Sequence, residues 1–202
     1  MPRALALASA LLLFFFFLPA SAAVLTNGQL CEKGVAALAD SLAGHITAPA
    51  DSGVTLLPVD GRFGQQLLSN LAVRLEHSGI RVYLGSAGVD SKRPVVKTTV
   101  NDYHLSYEGV HRGFFSRGRV ARMFGISGAC QLLSSDGRLL QSAEVSTLTL
   151  CDTLSYDEAR AARGKDSFLS PTLPPTIYQR LVEPGLILGI TGALVYLFFA
   201  SR

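Results

Sequence analysis

Residues 54–84 read VTLLPVDGRFGQQLLSNLAVRLEHSGIRVYL, and the fold class follows from this stretch. Val54-Thr55-Leu56-Leu57-Pro58-Val59 is a short β-type run. From about Arg62 the apolar spacing changes to a helical period. Phe63, Leu67, Leu71 and Leu75 lie four residues apart on one face, and Ser78-Gly79 supplies the stop. Ile80 to Leu84 then returns to a strand pattern. Two short strands flanking one amphipathic helix form a β-α-β unit, which implies parallel strands and a right-handed crossover.

Working outward, Cys31, Val35, Leu38, Leu42 and Ile46 recur at helical spacing before this unit and predict an earlier helix, ended by Pro49 and the turn at Asp51-Ser52-Gly53. After Pro94 the pattern becomes long strands without helices between them: Val95 to Tyr107, Val120 to Leu133 and Leu139 to Leu154. Asp136-Gly137 between the last two is a strong hairpin signal. With those two residues at the centre of the turn, Cys130 falls opposite Ala143 and Cys151 opposite Arg122. The two cysteines are then separated by about 25 Å at ~3.3 Å per residue, so any disulfide would have to use Cys31. Ser155-Tyr156-Asp157-Glu158 has the form of a capping box and predicts a short helix to Arg163. The expected fold is therefore α+β: a β-α-β unit followed by antiparallel strands with a long hairpin, plus one C-terminal transmembrane helix.

The chain has 202 residues, and much of the excess in its 49% hydrophobic content lies at the two ends, Ala4 to Leu18 and Leu186 to Ala200. Arg3, the apolar run Ala4 to Leu18, then Pro19 and Ala20-Ser21-Ala22 have the three parts of a secretory signal peptide over 1–23, with a permanent anchor as the alternative. Pro184 to Ala200 carries no charge and spans about 25 Å at ~1.5 Å per residue, which suggests a membrane span over 184–201; a buried core helix is the alternative. Arg202 beyond it favours a cytoplasmic C-terminus. These readings place a 24–164 domain on the periplasmic or extracytoplasmic side of the cell membrane. A Pro-containing stalk over 165–183 would lead to a single-pass anchor.

The formal charge of +3 is dispersed, which argues against nucleic acid as a partner. His45, His77, His104 and His111 share no metal-ligand spacing, and no serine-hydrolase elbow or phosphate loop is present, so no catalytic residue, metal or cofactor is expected. The unusual surface segment is 108–122. Arg112, Arg117, Arg119 and Arg122 make it basic, three glycines loosen it, and Phe114 and Phe115 offer apolar anchors for a partner or membrane contact. The alternative is a hairpin tip whose phenylalanines fold back on the core. Gly185, Gly189 and Gly192 bring small residues to one side of the C-terminal helix and suggest helix packing and a helix-mediated oligomer.

Taken over Gly34 to Leu154, the order of Val54 to Val59, Gln65 to Gly79, Ile80 to Leu84 and the hairpin Leu133 to Val145 resembles small α+β domains of bacterial envelope accessory proteins, of the curli-secretion and flagellar-assembly lipoprotein type. The chain differs from them in lacking a lipidated Cys and in its apolar C-terminal segment. The resemblance implies a non-enzymatic accessory role, with binding of another envelope protein. A lipid- or glycolipid-handling accessory using Arg112 to Arg122 on anionic head groups is the second expectation, and an unrecognised hydrolase the third.

Overall fold

The computed structural model describes residues 24–47, 53–85, 93–110, 119–175 and 177–201. The elements run α1 (Asn27–Gly44), β1 (Val54–Leu56), α2 (Gly64–His77), β2 (Val82–Leu84), β3 (Val95–Val110), β4 (Arg119–Leu133), β5 (Leu139–Ser155), α3 (Tyr156–Ala161) and α4 (Ile177–Ala200). The five strands form one mixed sheet in the order β2-β1-β3-β4-β5. β1 pairs in parallel with β2, as the β-α-β unit requires, and also with β3. β3, β4 and β5 are antiparallel neighbours.

α1 begins at a reciprocal capping box of Thr26 and Gln29, which supplies partners for two backbone N–H groups of its first turn. Its buried stripe of Leu30, Cys31, Val35, Leu38 and Leu42 packs on the sheet beside Leu67, Leu71 and Leu75 of α2, the face expected from the spacing. Gly34 lets α1 approach β4 closely, since a Cβ there would lie 2.4 Å from the Phe124 ring. α2 ends where Gly79 takes a φ of 81°, and the hairpin turns at Gly137 with a φ of 83°; both need the left-handed region that glycine enters freely. The core between helices and sheet is completed by Val54, Leu56, Val96, Leu105, Phe124, Ile126, Cys130 and Leu132. Cys31, Cys130 and Cys151 are all free thiols, the first two buried and the third exposed.

In the segment read from the sequence as a stalk, Phe168 packs edge-on to Phe63 and Tyr103, at centroid distances of 5.9 and 5.2 Å with Tyr103 at the shorter one. Arg62 reaches over the Phe168 ring at 4.9 Å and pairs with Asp166.

The expected transmembrane helix is corrected. Among the described residues, no helix is long and apolar enough to cross a membrane. α4 contains Pro184, and its uncharged part from Pro184 onward rises only about 25 Å at ~1.5 Å per residue, against roughly 30 Å of hydrocarbon. The single-pass topology, and the cell-membrane localisation with a periplasmic domain that depended on it, are withdrawn with it. A Cβ at Gly185, Gly189 or Gly192 would meet nothing within 4 Å, so none of the three packs against a described neighbour. The expected signal peptide over 1–23 lies outside the described residues.

Candidate functional site

Two bulges at one level of the sheet decide which side chains meet. In the β3–β4 pairing Val100 faces Gly128 but Asp102 faces Ser127, so Asn101 is an extra residue. In β4–β5 Gly128 faces Val145 and Ile126 faces Leu148, so β5 carries an extra residue at Ser146–Thr147. Each extra residue reverses which alternate side chains turn inward. On β3 the inward set changes from Val96 and Thr98 to Tyr103, Leu105 and Tyr107. On β5 it changes from Ala143 and Val145 to Leu148, Leu150, Asp152 and Leu154. The bulges thus turn Tyr107 and Asp152 to the same face as Arg122 of β4, at the end of the sheet where the β3–β4 connection leaves.

Arg122 is fully buried there. Its Nε donates to Asp152 Oδ1 at 2.9 Å, its Nη2 pairs with Asp152 Oδ2, and its Nη1 donates to the Leu25 carbonyl at 2.7 Å and to Asn27 Oδ1 at 2.9 Å. The Tyr107 hydroxyl sits 2.9 Å from Asn27 Oδ1 and 3.2 Å from the Ala159 carbonyl, donating to this pair. Asn27 Nδ2 donates to Leu169 O at 2.7 Å, and its backbone N–H to Ala162 O at 2.9 Å. One buried network therefore ties the start of α1 to β3, β4, β5, α3 and the turn after it. Every buried side-chain polar atom among the described residues has a partner, as a stable buried charge requires. Its role is to join elements.

This corrects two sequence expectations. Arg122, counted with the basic surface segment, belongs to the interior. Cys130 does face Ala143, but Cys151 faces Met123 and Arg122 faces Asp152, because the Ser146–Thr147 bulge moves the register by one.

The other sequence-selected residues separate. Arg112, Phe114, Phe115 and Arg117 lie outside the described residues. Arg119 opens β4 opposite Ser155 and is exposed. Its positive charge acts on Glu158, whose carboxyl is held below the usual range chiefly by the Ser155 backbone N–H at 2.7 Å and the Ser155 side chain, with Arg119 adding to them. That carboxylate closes the capping box of α3. His104 lies across Gly125, His45 caps α1 and His77 ends α2. Among the described residues no three His, Cys, Asp or Glu side chains gather as a metal site.

Beside the network, an open groove of about 450 Å3 is lined by Tyr156, Arg160, Arg163, Thr172, Leu173 and Pro175. A second feature is the sheet's outer edge. β2 at one end is only three residues long, with the Arg93 guanidinium 3.7 Å over the Tyr83 ring. β5 at the other end runs 17 residues, and among the described residues no strand pairs with its outer side.

No family model matches the chain, and no curated protein matches it. Among solved structures it is similar to a minor lipoprotein of Acinetobacter baumannii, at 15% identity and a TM-score of 0.33 over 52% of this chain and 71% of that one. It is similar also to a homologue of the neuraminyllactose-binding hemagglutinin from Helicobacter pylori, at 13% identity and a TM-score of 0.36 over 52% and 68%. A hypothetical protein of Chlamydia trachomatis shares 13% identity at a TM-score of 0.23, over 57% and 77%. The chain thus has a weak, partial structural resemblance to small bacterial proteins that include envelope-associated ones.

Proposed function

We propose that this chain is a non-catalytic accessory or assembly component that binds another protein of the cell envelope by accepting a partner strand on the outer edge of β5. The observation that carries the reading is the composition and length of that edge. Its 17 residues, LLQSAEVSTLTLCDTLS, contain no Pro, Lys or Arg. Its two carboxylates are Glu144 and Asp152, and Asp152 is held by Arg122. Edge strands are ordinarily blunted by short length, proline, lysine or a covering element. β5 has one such device, its bulge, and otherwise presents main-chain donors and acceptors suited to an extended partner segment. The sequence pattern over Gly34 to Leu154 supports an envelope setting. The head-group alternative is weaker, because Arg122 is buried and removed from the basic segment it relied on.

The test uses the full chain, a partner recovered with it from native extracts, and hydrogen exchange on the complex. Partner-dependent protection should centre on β5. Thr149→Lys with Thr153→Lys, both at exposed positions, should leave the melting temperature in place and abolish binding. A partner that stays bound to the double-lysine variant, with β5 exchange unchanged on binding, refutes edge docking.

A further inference from the structure

We propose that the groove beside α3 is a binding site for an organic phosphate monoester, the phosphate held by Arg160 and Arg163 and its organic body held against Tyr156, Leu173 and Pro175. Tyr156 and Arg160 lie four residues apart on α3, and Arg163 follows just past its C-cap Ala162, so that all three line the groove. Two guanidinium groups lining one groove repel each other when nothing lies between them. Among the described residues neither guanidinium is in an ion pair, while Glu158 accepts from Ser155, Asp166 pairs with Arg62 and Asp152 with Arg122. Asp157 adjoins Tyr156 in sequence but does not line the groove. A phosphate dianion matches two guanidinium groups in charge, and its oxygens suit their forked donors better than a single carboxylate would.

The walls are held in place before any ligand arrives. Tyr156 and Leu173 pack against the buried cluster of Tyr107, Val120, Leu154, Ala159 and Ala162. Arg163 Nη2 donates to the Ser170 carbonyl at 2.9 Å, which fixes one edge of its guanidinium and leaves the other donors free of that bond. The turn carrying Ser170 is closed by Gly164 N–H to Leu169 O at 3.0 Å and Ser170 N–H to Ser167 O at 3.2 Å. Pro171, Pro174 and Pro175 stiffen the opposite wall, and Thr172 adds a hydroxyl. Preorganisation of this kind lowers the ordering cost of binding.

The experiment titrates the full chain with phenyl phosphate, with phenol and inorganic phosphate as controls, following backbone amide resonances. Saturable shifts confined to 156–175 are expected for phenyl phosphate, stronger than for either control and weaker at high salt. Arg160→Gln alone, at an exposed position that holds no described contact, should weaken binding about tenfold, or about 1.4 kcal/mol. Arg160→Gln with Arg163→Gln should abolish it. Vesicles of phosphatidylcholine with and without phosphatidic acid identify the source of the phosphate: capture by phosphatidic acid that phenyl phosphate displaces assigns a lipid head group, and binding of phenyl phosphate without vesicle capture assigns a soluble phosphate. Absence of saturable phenyl phosphate binding, or binding that Arg160→Gln leaves unchanged, overturns the assignment.

Discussion

Removal of the Asp152 carboxylate should be the most damaging single change near the candidate site. Arg122 has no exposed side-chain surface, whereas 32% of the Asp152 side chain reaches solvent. Asp152→Ala leaves a buried guanidinium without its anion while Leu25 O and Asn27 Oδ1 still hold one of its nitrogens. Breaking a fully buried pair from one side costs about 3–5 kcal/mol. Partial hydration of the carboxylate lowers the expected loss here to about 2–3 kcal/mol. For a domain of this size that corresponds to a fall in melting temperature of roughly 5–10 °C. Arg122→Met with Asp152→Leu removes both charges and fills similar volume, so it should be no less stable than Asp152→Ala despite altering more atoms. Urea unfolding followed by circular dichroism, with slopes compared to confirm that the unfolded states are alike, gives all three values. A loss below about 0.5 kcal/mol for Asp152→Ala, or a double variant less stable than Asp152→Ala, would refute the network as a coupled buried unit.

Gly34→Ala should destabilise by about 1–3 kcal/mol in the same assay, since its new methyl meets the fully buried Phe124 ring. Gly125→Ala should cost less than about 0.5 kcal/mol, because the atoms it meets belong to the exposed His104 ring, which can swing away. In the native chain iodoacetamide should alkylate Cys151 alone. Burial pushes the Cys31 thiol up to about 11 and raises that of Cys130 as well, so both should react only after unfolding in urea; early modification of Cys31 by mass mapping would contradict the packing of α1. The depressed Glu158 carboxyl contributes stability that is present at neutral pH and lost as pH falls through its lowered value. Glu158→Gln, which keeps an acceptor for the Ser155 N–H, should therefore make the acid limb of a stability-against-pH curve shallower, and an unchanged limb would remove Glu158 from the linkage.

The β-α-β unit could be read from residues 54–84 because its signal is local: a change of apolar period, a glycine stop and a return to alternation. The hairpin register near the turn was equally local, and Cys130 does face Ala143. The polar network depends on something else, the parity of long strands. A bulge adds one residue without any obligatory residue type, so Asn101 and Ser146–Thr147 look like ordinary polar positions of a half-exposed sheet. The trace they do leave is a change in which alternate positions are apolar: Ala143 and Val145 before the β5 bulge, then Leu148, Leu150 and Leu154 after it, and likewise Val96 and Val100 before Leu105 and Tyr107 on β3. Continued with the new parity, the β5 pattern turns Asp152 inward, and on β4 Arg122 already shares the inward parity of Val120, Phe124 and Ile126. An inward Arg and an inward Asp on adjacent strands are each expensive to bury alone, so they specify each other. No such rule applies to the groove. Its charge is legible as Arg160 and Arg163, but their lack of a carboxylate partner depends on where Glu158, Asp166 and Asp152 are drawn by Ser155, Arg62 and Arg122. Those contacts arise only once the bulged sheet and the returning segment from Gly164 to Ser170 are in place.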